Sequence, residues 1–107
     1  MQRALKMDAG TALLRATANL VNFHAVVEEM KSRNWASITF TGARHEIVLR
    51  LDGDGADAAA DRFCDSVGAA EFELRGHIVA DISVVAREPA PDGGIRLRIE
   101  ALTVEEA

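Results

Sequence analysis

A chain of 107 residues, 49% of them hydrophobic, fills one domain with one core and leaves no material for a second. A net charge of −5 argues against binding a phosphate backbone through clustered cations, so nucleic acid is an unfavoured partner. The single cysteine, Cys64, forms neither an internal disulfide nor a paired-thiolate metal site, which points to a reducing cytoplasm, and heavy use of arginine and alanine points to a GC-rich bacterial source.

At the N-terminus, Arg3 and Lys6 precede an apolar-leaning stretch, but Thr11, Arg15, Asn19 and Asn22 interrupt every run. Neither a secretory core nor a membrane span is expected there. Residues from about Asp8 to Arg33 read as one helix: Leu13, Leu14, Thr17, Leu20, Val21, His24 and Val27 form a stripe at helical spacing, widened by Ala12, Ala16, Phe23 and Met30. So broad an apolar face calls for a deep core or a second subunit.

The segment from Asn34 to Gly53 reads as a hairpin. With Gly42 and Ala43 as a two-residue turn, Phe40 pairs with His45, Ile38 with Ile47 and Ala36 with Leu49. Ala36, Ile38, Phe40, His45, Ile47, Leu49 and Leu51 then point inward, and Trp35, Ser37, Thr39, Glu46, Val48 and Arg50 outward. A second helix is expected from about Gly55 to Val67, capped by Asp54, with Ala56, Ala60, Phe63, Cys64 and Val67 inside.

From Ala70 to Ala86 the chain alternates with period two and no turn signal, with even positions apolar or glycine. A straight strand of that length would reach roughly 56 Å at ~3.3 Å per residue, against a radius of gyration of ~13 Å for a 100-residue domain. The expectation is a bend at Gly76 that splits the run into Glu71–Arg75 and His77–Arg87 while keeping its parity, or a strand that pairs with another subunit. After the turn at Arg87 to Gly94, a last strand places Ile95, Leu97, Ile99 and Ala101 opposite Ala86, Val84 and Ile82. The fold class is therefore α+β in the order α-β-β-α-β-β: an antiparallel sheet of four or five strands with two helices on one face.

Chemical signals are sparse. Arg44, His45 and Glu46 are consecutive, so His45 points to the face opposite the other two; His45, with Arg44 or with His77 or His24, is the candidate for a general base in a cleft. Those three histidines lack the short spacing of a metal site, and no cofactor motif is present. The "DGDGAD" stretch lacks the sixth-position glycine and twelfth-position glutamate of a calcium loop. Asp57, Asp61 and Asp65 make an acidic stripe on the second helix, and Cys64 lies mid-helix, away from any N-terminus that would activate it.

The outer sheet face weighs most. Trp35, Arg50, Arg75, His77, Arg87, Arg96 and Arg98 are placed there, interleaved with Glu46, Glu71, Glu73, Asp81 and Glu100 and with apolar Val79, Val85, Leu102 and Val104. Such a face suits a protein partner or an anionic ligand. The reading that follows is a cytoplasmic, homodimeric, non-enzymatic binding or assembly module. A small enzyme at His45 and Arg44, and a weak anion or nucleic-acid binder through the arginines, are its alternatives.

Overall fold

Asp8 caps the first helix, its carboxylate accepting the Thr11 N–H at 2.7 Å, and Asn22 ends it in the left-handed conformation with φ of 49°. In the computed structural model, which describes residues 8–91 and 93–106, that helix, α1, spans Ala9–Val21. It is followed by β1 (Ala25–Ala36), β2 (Thr41–Leu51), α2 (Ala56–Ser66), a single 3-10 turn (Val67–Ala69), β3 (His77–Pro89) and β4 (Ile95–Glu105). The strands form one antiparallel sheet in the order β1-β2-β4-β3. The α+β class, the element order and the two helices packed on one face are as the sequence implies. A fifth strand is absent among the described residues; before Gly76 only Leu74 makes an isolated bridge, to His77.

Three expectations need correction. The single long helix ends at Val21, because Asn22 takes the αL position and the β-branched Val26 and Val27 then start a strand. The first hairpin turns at Ser37–Phe40, not at Gly42–Ala43: Ser37 N–H donates to the Phe40 carbonyl at 2.7 Å, and Phe40 N–H to the Ser37 hydroxyl at 3.0 Å. Ala36 therefore pairs with Thr41, Ser32 with His45 and Met30 with Ile47, while Ile38 and Phe40 lie in the exposed turn and not in the core. Finally, the N-cap of α2 is Gly55, with no side-chain cap, in place of Asp54.

The core lies between the sheet and both helices. Leu13 and Val21 of α1, Ala59, Ala60 and Phe63 of α2, and Ile47, Leu49, Leu51, Leu97 and Ile99 of the two central strands are buried in one cluster. The inward set of β2 (His45, Ile47, Leu49, Leu51) is the expected one, since period two fixes a strand's own faces even when its partner register is misjudged.

Gly76, with φ of 80°, does break the long alternating run: it sits in the tight turn in which His77 N–H donates to the Leu74 carbonyl. Parity is not preserved, however. β3 holds one extra residue at Ala80 and another at Val85, and β1 holds one at Glu28. As a result His77 and Val79 share the inward side with Ile82 and Val84, and Arg87, not Ala86, lies opposite Leu97. Ile82 opposite Ala101 and Val84 opposite Ile99 match the expected register.

Candidate functional site

Bulges and register decide where the charged side chains go. Glu28, the extra residue of β1, lies on the outer face between two arginines: it accepts from Arg50 Nη1 at 2.8 Å and from Arg96 Nε at 2.6 Å and Nη2 at 3.2 Å. Arg50 also holds Asp52 through Nε at 3.0 Å, and Arg96 lies 3.8 Å from Glu88. One network of alternating charge thus crosses all four strands. The Arg96 and Arg50 guanidiniums hold the Glu28 carboxyl below its ordinary range, and Asp52 and Glu28 raise Arg50 in return.

Of the residues singled out from sequence, the structure brings Arg50 and Arg96 together through Glu28, and sets Arg98 beside them at 4.0 Å from Glu29. The others part company. Arg87 belongs to the helix side, where it donates to Asp61 at 2.7 Å and Asp57 at 3.2 Å, so the acidic stripe of α2 is partly an anchor for β3. His77 and Val79 also face the helix side, and Arg75 sits in the turn before β3. Trp35 is half-buried at the opposite end of the outer face, its ring over Gly42 and its Nε1 buried without a partner. The neutralising carboxylates are Glu28, Asp52 and Glu88, none of which stands out in the sequence pattern.

The Trp35 end of that face has a different character. Across the sheet Trp35, Gly42, Val104 and Ile78 form one row, and Arg33, Arg44, Leu102 and Asp81 form the next. Arg33 and Arg44 stand directly opposite each other, a cross-strand arrangement of like charges that costs stability. Beyond the row, the hairpin turn carries Ile38 at 106% relative exposure and Phe40 at 55%, with Ile78 at 51%.

On the other face, His45 is 1% exposed. Its Nδ1 lies 2.7 Å from the Ser32 hydroxyl on β1, and its Nε2 lies 2.9 Å from the Thr103 hydroxyl on β4. Thr103 Oγ1 in turn donates to the Ala43 carbonyl at 3.4 Å. Burial lowers the His45 pKa; the Asp8 carboxylate opposes that shift and His77 adds to it. Arg44 projects from the opposite face, so the two neighbours share no cleft, and His24 is exposed in the loop after α1. Ser32 and Thr103 were invisible from sequence because both depend on register. Among the described residues no group of acidic, histidine or cysteine side chains could hold a metal ion, and no helix is long and apolar enough to cross a membrane. A shallow groove of about 490 Å3 runs between Cys64, Val67 and Gly68 and the middle of β3.

No family model, curated protein or solved structure matches this chain.

Proposed function

We propose that this protein is an assembly module that pairs with a second copy of itself through its outer sheet face, the Trp35 end included. The observation that carries the reading is the cluster of exposed apolar side chains there: Ile38, Phe40 and Ile78 are each more than half exposed, beside Trp35, Leu102 and Val104. Apolar patches of this kind on small proteins mark contact surfaces.

Charge pattern favours a second copy over an unrelated partner. The Arg33–Arg44 row lies one step along the strands, roughly 7 Å, from the row of Glu46 and Glu100. Lys31, also in that second row, is engaged by Glu29 at 3.6 Å. A twofold axis running across the strands midway between these two rows sets the arginine row of each copy over the glutamate row of the other, and the Trp35–Ile78 row of each over the row of Val48, Arg98 and Ala86. The arginines of the network around Glu28 are already neutralised, which weighs against a general anion or nucleic-acid site on this face.

The test is solution mass by light scattering over a dilution series at low and moderate salt. Wild type should form a dimer that Ile38→Asp and Arg44→Glu each weaken, and the exchange Arg44→Glu with Glu46→Arg should restore it. A monomer at every concentration, or a dimer indifferent to all of these changes, rules the reading out.

A further inference from the structure

The Ser32–His45–Thr103 row has a chemistry that the assembly role does not use. Thr103 spends its own proton on the Ala43 carbonyl, 3.4 Å away, so its oxygen is left to accept from His45 Nε2 at 2.9 Å. With the Thr103 proton so directed, the imidazole is assigned the Nε2–H tautomer. His45 Nδ1 then carries the lone pair, and it points at the Ser32 hydroxyl 2.7 Å away. Base and hydroxyl are within the distance proton transfer requires, and a third group orients the base. Ser32 itself is exposed while His45 is buried, so the hydroxyl is reachable and its base is screened from water.

The first turn of α1 completes the surroundings. A Cβ on Gly10 would lie 2.7 Å from Ser32 Oγ and 3.0 Å from the Met30 methyl, so the helix start packs directly against the hydroxyl. The Asp8 carboxylate, 3.5 Å from that same Cβ position, disfavours anionic reactants.

We infer that Ser32 is an activated nucleophile for acyl transfer from small neutral or cationic esters, with His45 as its general base and Thr103 as the residue that positions the imidazole. Ser32 Oγ bonds to the carbonyl carbon as its proton passes to His45 Nδ1. Collapse of the tetrahedral adduct breaks the ester C–O bond, and the departing alkoxide takes that proton. Water, deprotonated by the same nitrogen, then adds to the acyl carbon; the C–Oγ bond breaks, Ser32 Oγ takes the proton back from Nδ1, and the acid leaves. His45 is held neutral by burial, which keeps the base competent at neutral pH and below.

The experiment uses p-nitrophenyl acetate for turnover and a fluorophosphonate for stoichiometric labelling, read by intact mass and peptide mapping on the full chain. Wild type should take one phosphonyl group at Ser32, and the exposed Ser32→Ala variant none. His45→Gln should slow labelling by about 100-fold. Thr103→Val should slow it while Thr103→Ser restores it, and the wild-type rate should climb to a plateau with a midpoint below the ordinary histidine range. Labelling no faster than in urea-unfolded protein, modification at another residue, or a Ser32→Ala variant that reacts like wild type overturns the assignment.

Discussion

Trp35 and Gly42 face each other across the β1–β2 pair, and the indole fills the volume that a side chain at position 42 would need. A Cβ there would lie 2.9 Å from the Trp35 ring and would overlap the Thr103 carbonyl, which is backbone and cannot swing aside. Gly42→Ala should therefore cost about 1–3 kcal/mol by overpacking. Trp35 is the only tryptophan, so its emission reports the same event. Urea unfolding followed by that fluorescence should give an earlier midpoint and a red-shifted native spectrum; an unchanged curve contradicts the packing.

Thr17 carries the opposite expectation. It is fully buried on α1, and its hydroxyl has no hydrogen-bond partner among the described residues. Thr17→Val keeps the shape and removes the unsatisfied group, whose burial costs roughly 1–3 kcal/mol. The variant should melt above wild type, and a lower melting temperature would mean that the hydroxyl is satisfied in solution.

His45 makes stability depend on pH. The unfolded chain binds a proton at the ordinary histidine value of 6.5, whereas the folded chain, with the ring buried between Ser32 and Thr103, binds it only at lower pH. Asp8 on α1 and His77 on β3 are the charged neighbours, and they act in opposite directions. The unfolded state therefore holds more protons just below pH 6.5, and stability must fall as pH drops through that region while being complete above it. One such group limits the slope to about 1.4 kcal/mol per pH unit. Denaturant titrations at half-unit steps should show the decline in wild type and a flatter line in His45→Gln.

Glu28 should show itself through salt. Removing it in Glu28→Ala leaves Arg50 and Arg96 facing each other without the carboxylate between them. The variant should lose more stability at low ionic strength than in molar sodium chloride, where like-charge repulsion is screened. Equal losses at both salt concentrations would mean that Glu28 acts by packing alone.

The features that could be read from the sequence were those carried by period. Alternation fixed which residues of β2 and β4 face the core, and it placed Ile82 and Val84 opposite Ala101 and Ile99. What stayed hidden depended on single residues that shift a register. Ser37–Phe40 turns without glycine, using the Ser37 side chain, so the glycine-bearing Gly42 attracted the turn and Ser32 went unseen beside His45. The start of β1 mimics a helix because Val27 and Met30 continue the apolar spacing of α1, and only the left-handed Asn22 interrupts it. Bulges leave no compositional mark, which is why strict alternation puts Arg87 and His77 on the side of the sheet opposite their true one.

All three bulges, at Glu28, Ala80 and Val85, fall in β1 and β3, the strands that border the sheet, and none falls in the β2–β4 pairing. A long alternating apolar strand at a border is a template for runaway addition of further chains. Each inserted residue twists the border and spoils the even ladder that an incoming strand would have to match. Both margins of the sheet are thus closed to easy extension, and lateral growth toward fibrils is discouraged at each.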